Sequence, residues 1–210
     1  THNIALSDAG ITSSASIGIT ISNSTLTILQ GGTYALNGTL SNGRIIINAA
    51  LSKVYLILNG VDISNTSGYP VIQTLAAEKT FITIAKGSSN ILKDSLSNTL
   101  ATIKLKGDAT FRGEGALTIY GQGNNGISCS ADLNFNGTSD AHISLYVEAK
   151  NNAISADNSV DIEYGAFHVV TTDGDGMQVY DETNVSKGYI HIVDGSYTFR
   201  VSNDALQAYR

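Results

Sequence analysis

The chain has 210 residues and a formal net charge of −6, and only 14% of its residues are charged. This acidic balance offers no basic stripe to neutralise phosphates, which argues against a nucleic-acid partner. No run of about 18 apolar residues occurs, so the sequence predicts no membrane span. The single cysteine leaves the redox compartment open, whereas the low charge and the many Ser, Thr and Asn residues favour an extracellular or cell-surface location.

Short runs of alternating apolar and polar residues follow one another along the chain, with Gly, Asn or Asp between them. A period of two residues is typical of strands that bury one face, and no segment shows the period of an amphipathic helix. Residues 1–16 are expected to form an N-terminal arm or cap, and residues 17–210 a single domain. The clearest early runs are residues 24–29, 44–49, 53–58, 80–85, 101–106 and 116–121.

In the second half of the chain a turn followed by a strand recurs every 23 to 29 residues. A repeat of this length that contains three short strands is typical of a parallel β-helix, in which each repeat forms one coil. We therefore predict an all-β fold, a right-handed parallel β-helix of three-strand coils, with roughly seven or eight coils. The four copies are "NNGISC" (124–129), "NNAISA" (151–156), "GDGMQV" (174–179) and "NDALQA" (203–208).

The apolar positions of these repeats align in rows that would point into one lumen. Alternation within each strand sends every second side chain inward, so an inward residue should stack on an inward residue of the next coil. The first strand gives the row Ile127, Ile154, Met177 and Leu206. The third strand aligns the pairs Leu117/Ile119, Ile143/Leu145, Phe167/Val169 and Tyr197/Phe199.

The turn in "TTDGDGMQVY" (171–180) has two interpretations. Asp173 and Asp175 alternate with glycine, as at the start of a calcium loop, and Asp204 follows one coil along, about 4.8 Å away. Asp173, Asp175 and Asp204 are therefore candidate calcium ligands. The competing interpretation is a structural turn ladder, because Asn125 and Asn152 occupy the slot of Asp175 and both residue types bond to their own turn.

The third strand also presents an outward row, which we align as Tyr120, Tyr146, Val170 and Arg200. Exposed aromatic rings on a flat sheet suit stacking against sugar rings. Tyr120, Tyr146 and Arg200 are therefore candidate carbohydrate-binding residues. Ordinary cross-strand stacking of one tyrosine on the other explains the aromatic pair equally well.

The repeat alignment assembles no catalytic set. His142, His168 and His191 fall on outward positions, and none meets a serine or cysteine together with a carboxylate. Cys129 aligns with inward apolar residues and is expected in the core. A calcium-dependent polysaccharide lyase would need a base near the aspartate turn, where the repeat supplies only Arg200. We therefore predict that the protein is not an enzyme.

The framework "GTYALNGTL" followed by "LILNGVDI", together with the repeated turns "NNGIS", "NNAIS", "DGDGMQ" and "NDALQ", resembles a secreted bacterial carbohydrate-binding parallel β-helix family. That family was formerly described as a domain of unknown function and is related in fold to pectate lyases. The resemblance implies binding of cellulose or acidic plant polysaccharides such as polygalacturonate, bound calcium and no catalysis. This chain departs from the family at Asn125 and Asn152, where the family usually carries an acidic turn, and the departure weakens the case for calcium.

Two functional hypotheses follow. The first is an extracellular, non-catalytic protein that binds a polysaccharide. The alternative is a self-assembling structural subunit of an extracellular fibre or surface layer, a homopolymer formed by head-to-tail coil stacking or by donation of the N-terminal arm. Its motive is that only Tyr209 and Arg210 follow the inward pair Leu206/Ala208, whereas a solenoid end is expected to carry a polar cap.

Overall fold

The computed structural model describes residues 1–210, and its regular secondary structure consists of strands alone. All 21 strands join one hydrogen-bonded sheet. None of the chain forms a helix with the length and apolar character that a membrane span requires. The strands of the first half are β1 (His2–Leu6), β2 (Thr12–Ser13), β3 (Ile19–Ser22), β4 (Thr25–Ile28), β5 (Gly32–Leu40), β6 (Arg44–Ser64), β7 (Ile72–Ile84) and β8 (Ser89–Lys93).

The second half of the chain is built from shorter strands, three to a coil. These are β9 (Ile103–Leu105), β10 (Asp108–Gly113), β11 (Ala116–Gly121), β12 (Ile127–Cys129), β13 (Asp132–Phe135), β14 (Ser144–Ala149), β15 (Ile154–Ala156), β16 (Ser159–Ile162), β17 (Ala166–Thr171), β18 (Met177–Val179), β19 (Tyr189–Ile192), β20 (Ser196–Arg200) and β21 (Leu206–Gln207).

Each strand of a coil pairs in parallel with its equivalent in the next coil. Three faces result: β9, β12, β15, β18 and β21 form the first, β10, β13, β16 and β19 the second, and β11, β14, β17 and β20 the third. This confirms the predicted parallel β-solenoid. The solenoid has about six turns instead of the predicted seven or eight. The difference arises because part of the N-terminal segment forms the antiparallel pairs β1–β2 and β3–β4 and not additional coils.

The first strand lies against the solenoid. β1 pairs in parallel with β5, from His2 opposite Tyr34 to Leu6 opposite Gly38, and Ile4 and Leu6 are buried. Gly38 has a φ of +100°, and a Cβ atom there would stand 2.2 Å from the carbonyl oxygen of Leu6, so this close approach requires glycine. The start of the segment expected to form an arm or cap therefore adds a strand to the first coil.

The lumen is filled by one cluster of 44 buried residues. The predicted first-strand row is in register, because Ile127, Ile154, Met177 and Leu206 pair in succession. Cys129 is fully buried, and burial raises the pKa of its thiol to about 12, so this thiol is a core side chain and no nucleophile at neutral pH.

The third-strand alignment was wrong by two residues in one coil. Leu117 pairs with Leu145, and Ile119 pairs with Val147, whereas the sequence had placed Ile143 and Leu145 there. The cause is the long connection of residues 136–143, whose length an apolar pattern does not fix. Because a slip of two residues preserves the alternation, the inward and outward assignments were unaffected.

A stack of aromatic rings runs through the lumen along four coils. The centroids of successive rings are 5.2 Å apart for Phe111 and Phe135, 5.1 Å for Phe135 and Phe167, and 5.2 Å for Phe167 and Tyr197. Such pairs contribute beyond the apolar area that they bury. The middle ring, Phe135, contacts both neighbours and is fully buried.

Replacement of Phe135 by alanine should lower the free energy of unfolding by about 3–5 kcal/mol, because it leaves a cavity between two rings. Urea unfolding followed by circular dichroism measures the change. The matched control is Leu51→Ala, at a side chain that is 93% exposed, and it should stay within about 0.5 kcal/mol of the native chain. Equal losses in the two variants would contradict the stack as a source of stability.

Candidate functional site

The repeated turns are joined by a ladder of side-chain hydrogen bonds, which we call the turn ladder. The Oδ1 atom of Asn125 accepts a hydrogen bond from the backbone N–H of Asn152 at 3.2 Å. In the same way Asn152 accepts from Asp175 at 2.8 Å, and Asp175 accepts from Asp204 at 3.0 Å. Each rung therefore satisfies a backbone donor of the following coil, as the structural interpretation of the turn expects.

One of the three aspartates predicted as calcium ligands, Asp175, is a hydrogen-bond acceptor in the turn ladder. Asp175 is 2% exposed, and its Oδ1 atom also accepts from Asn203 Nδ2 at 2.6 Å. Asp173 and Asp204 are exposed. No group of three or more His, Cys, Asp or Glu side chains in the structure could hold a metal ion, so Asp173, Asp175 and Asp204 do not come together as one set of ligands. Calcium binding by this chain stays a prediction.

Asn152 makes the most contacts of the four ladder residues. It is 4% exposed, and besides its ladder bond its Nδ2 atom donates to the hydroxyl of Tyr180 at 3.0 Å and to Gln178. Asn152→Ala should lower the free energy of unfolding by about 1–3 kcal/mol, because it leaves the buried N–H of Asp175 without an acceptor. Thermal unfolding of the variant checks this. Asp173→Ala is the control and should change stability by less than about 0.5 kcal/mol.

The candidate binding surface lies on the solvent side of the third face, which β11, β14, β17 and β20 form. We define the tyrosine face as Tyr120, Tyr146 and His168. The rings of Tyr120 and Tyr146 have centroids 6.1 Å apart and planes inclined at 59°, and the imidazole of His168 lies 5.2 Å from Tyr146 in a stacked arrangement. All three side chains are at least partly exposed, so the structure presents a short aromatic surface to solvent.

The corrected register changes which residues stand beside each tyrosine. Tyr120 lies opposite Glu148, and Tyr146 lies opposite Thr118. The two tyrosines are therefore diagonal neighbours, and the predicted row of one directly above the other was wrong. The hydroxyl of Tyr146 donates to Glu148 Oε2 at 2.9 Å, so the residue opposite Tyr120 is bonded to Tyr146. Burial, and next the bond to Glu148, raise the pKa of the Tyr146 phenol.

A groove opens next to Tyr120, where the strands of the third face end and the turns begin. One apolar wall is Leu96, whose side chain is 80% exposed, and the opposite side carries Lys150 and Glu148, two groups of opposite charge. A combination of apolar surface and a few convergent polar groups is typical of small-molecule binding sites. The groove is lined by Leu96, Tyr120, Gly121, Gln122, Glu148, Ala149, Lys150 and Thr172.

A buried carboxylate holds the wall of this groove in place. Asp94 is 2% exposed, and its Oδ1 atom accepts from the backbone N–H of Gln122 at 2.6 Å. Its Oδ2 atom accepts from Asn98 Nδ2 at 2.6 Å and from the Thr102 hydroxyl at 3.1 Å. Burial raises the pKa of Asp94, and these hydrogen bonds oppose that shift. The carboxylate therefore ties the segment that carries Leu96 to the turn after Tyr120.

Arg200 lies away from the groove. It pairs with Val170, and Val170 pairs with Glu148, so three strand spacings, roughly 14 Å, separate Arg200 from Tyr120. The cation that lines the groove with Tyr120 is Lys150, whereas the charge of Arg200 acts on Tyr146 and lowers the pKa of its phenol, against the larger effect of burial, so a role for Arg200 in carbohydrate binding stays a prediction. Sequence reasoning missed Lys150 because it follows the strand and the repeat alignment covers strand positions only.

Three comparisons relate this chain to known proteins. A family model described as "Carbohydrate-binding domain-containing protein" matches residues 22–210. A protein of the same description from Acetivibrio thermocellus is 33% identical over 130 residues, which cover 57% of this chain and 45% of that protein. The chain therefore spans less than half the length of this curated relative. A solved structure described as the polysaccharide lyase-like protein from C. thermocellum, gadolinium derivative, has a TM-score of 0.89 and 29% identity, and the match covers 99% of this chain and 85% of that chain.

Proposed function

Because the chain belongs to the carbohydrate-binding domain-containing family, we propose that it binds a polysaccharide through the tyrosine face and the adjoining groove. The observation that carries the proposal is the exposed, mutually inclined pair of Tyr120 and Tyr146 beside a groove that holds Lys150. Because Tyr146 is inclined to it at 59°, the ring of Tyr120 is not covered face to face, whereas Tyr146 has His168 stacked against it. The sheet is open along the solenoid axis, so it suits a chain-like ligand that extends over several coils.

The polar groups of the groove match the hydroxyls of a sugar. Lys150 and Gln122 offer donors and Glu148 offers an acceptor. The hydroxyl of Thr172 donates to the Lys150 carbonyl at 3.0 Å and can still accept. Leu96 supplies apolar surface for the carbon face of a ring. Since the groove is shallow and its polar side chains are solvated, we expect the affinity to come from several weak contacts along the chain, not from one enclosed pocket.

We propose that binding is not accompanied by cleavage. Glycoside hydrolysis ordinarily uses two carboxylates that flank the bond, whereas Glu148 is the single carboxylate among the groove residues and accepts a bond from Tyr146. A secreted or cell-surface location is part of the same proposal, and its support is the low charge and the Ser, Thr and Asn content of the chain. Incubation with polygalacturonate and calcium should release neither new reducing ends nor unsaturated product, and the appearance of either would overturn the non-catalytic assignment.

The double variant Tyr120→Ala/Tyr146→Ala should bind insoluble polysaccharide at least about tenfold more weakly than the native chain, because two stacking surfaces are lost. Pull-down with cellulose and with a panel of plant glycans measures the bound fraction. Tyr55→Ala, at an outward tyrosine on the second face, is the matched control and should bind as the native chain does. Equal binding by all three proteins would place the site elsewhere, and no binding to any glycan would remove the function.

Self-assembly through the solenoid ends remains a second proposal. Its support is β1, which adds a parallel strand to β5, because a strand that pairs in this way within one chain can also pair with the same strand of a second copy. Electron microscopy of the pure chain at high concentration should show linear assemblies. Particles of monomer size alone would end this proposal.

A further inference from the structure

A second pocket lies in the N-terminal half of the chain, where the tip of the β3–β4 hairpin approaches the turns before and after β6. We call it the arginine pocket. Asparagine, serine and threonine side chains form most of its wall, and neither aspartate nor glutamate contributes to it. It is lined by Asn23, Ser24, Thr25, Asn42, Gly43, Arg44, Asn65, Ser67 and Tyr69.

Arg44 is the only charged side chain of this pocket, and no acid neutralises it. It takes part in none of the four ion pairs of the structure. Its Nη2 atom donates to Gln73 Oε1, while its Nε atom is the one buried side-chain nitrogen or oxygen in the chain that has no hydrogen-bond partner. An unpaired buried donor is costly, so the guanidinium has unused capacity for an acceptor.

Tyr69 covers the guanidinium. The Cζ atom of Arg44 lies 4.6 Å from the centroid of the Tyr69 ring, within the range of a cation–π contact. Tyr69 is 53% exposed, so its ring forms a wall between the cation and solvent. For an oxyanion to accept a hydrogen bond from the buried Nε–H of Arg44, a neighbouring group must move aside, and the ring of Tyr69 is exposed enough to do so.

The surrounding turns are held rigid by their own hydrogen bonds. Asn65 Oδ1 accepts from the backbone N–H groups of Ser67 at 2.9 Å and Tyr69 at 3.3 Å, and Asn65 Nδ2 donates to the carbonyl of Gly43 at 3.2 Å. The backbone N–H of Arg44 donates to the carbonyl of Ser24 at 3.0 Å. The backbone that carries Arg44 and Tyr69 is therefore held in place before any ligand arrives, while the Tyr69 ring itself stays free to move.

The hairpin tip adds free polar groups on the other side of the pocket. The side chains of Asn23, Ser24 and Thr25 make no hydrogen bond within the protein and are partly or fully exposed. Asn23 has a φ of 51°, a left-handed conformation that asparagine tolerates better than most residues. These groups can bond to hydroxyls of a ligand whose charged end is at Arg44.

We propose that the arginine pocket binds one oxyanion-bearing sugar unit, with the oxyanion on Arg44 and the sugar ring against Tyr69. The carboxylate of a uronic acid and the sulfate ester of a hexose share this chemistry. The inference rests on the proposed function but concerns a separate site. Because the whole chain carries −6 and repels an extended polyanion, the pocket suits a single acidic unit or a chain end.

Titration of the intact chain with glucuronate, glucose and glucose 6-sulfate tests the proposal. Nuclear magnetic resonance follows the side-chain Nε–H signal of Arg44, which should shift with glucuronate or the sulfate ester and stay in place with glucose. The acid with the lower Kd identifies the natural oxyanion. Equal response to glucose and to both acids, or no response to any of them, would overturn the proposal.

Variants of the pocket residues test whether the acidic sugar binds at the arginine pocket and not elsewhere on the protein. Arg44→Gln should weaken binding of the acidic sugar at least about tenfold, and Arg44→Lys less, since lysine keeps the charge but loses the paired donors. Tyr69→Ala should also weaken it, and because Tyr69 is exposed this variant remains informative if Arg44→Gln fails to fold. Arg112→Gln, on the second face, is the control and should bind normally. Unchanged binding in Arg44→Gln and Tyr69→Ala would overturn the proposal.

The same variants distinguish this site from the tyrosine face. Arg44→Gln should keep its binding to neutral polysaccharide in the pull-down, whereas Tyr120→Ala/Tyr146→Ala should keep its response to glucuronate. Loss of both activities in either protein would contradict two separate sites. If neutral polysaccharide binds to neither protein nor to the native chain while glucuronate still binds, the proposed function fails and the arginine pocket stands.

Discussion

Parallel pairing of one coil with the next is the constraint on which this structure depends. Strands that are hydrogen-bonded in parallel hold equivalent residues about 4.8 Å apart, so an inward position in one coil is inward in all of them. The lumen can then be filled by rows of apolar side chains, and the aromatic stack around Phe135 joins a pair of rings on the second face to a pair on the third. Because the pairing is local, each coil is stabilised chiefly by its two neighbours, and substitutions are expected to act over one or two coils.

The turns need a separate solution, since the backbone bends away from the strand ladder there. Side chains of Asn125, Asn152 and Asp175 take the place of backbone acceptors and continue the hydrogen bonding from coil to coil. Asparagine and aspartate serve this purpose equally, because each hydrogen bond of the ladder needs only a side-chain oxygen as its acceptor. A carboxylate such as Asp175 can therefore resemble a metal ligand in the sequence and yet be buried and accept structural hydrogen bonds through its Oδ1 atom.

Both candidate binding sites lie where the regular coil is interrupted. The groove beside Tyr120 depends on the segment after β8, which Asp94 ties to the neighbouring turn. The arginine pocket depends on the antiparallel hairpin at Asn23 and on the loop that carries Tyr69. A stack of identical coils would present only flat rows, so the concave surfaces come from these additional residues.

The sequence by itself determined the fold class, the inward rows and the outward position of both tyrosines, because each follows from alternation within a strand and from a repeat of nearly constant length. It could not determine the coil count, since antiparallel pairing near the N-terminus leaves the same alternating pattern as a coil. It also misplaced the neighbours of Tyr146, because residues 136–143 add length without adding a pattern. Lys150 and Arg44 became candidate ligand-binding residues only in three dimensions, where turns distant in sequence come together. The periodicity of the sequence indicates which way a side chain points. The groups that surround the side chain depend on how the loops place neighbouring strands, and only the tertiary structure shows that placement.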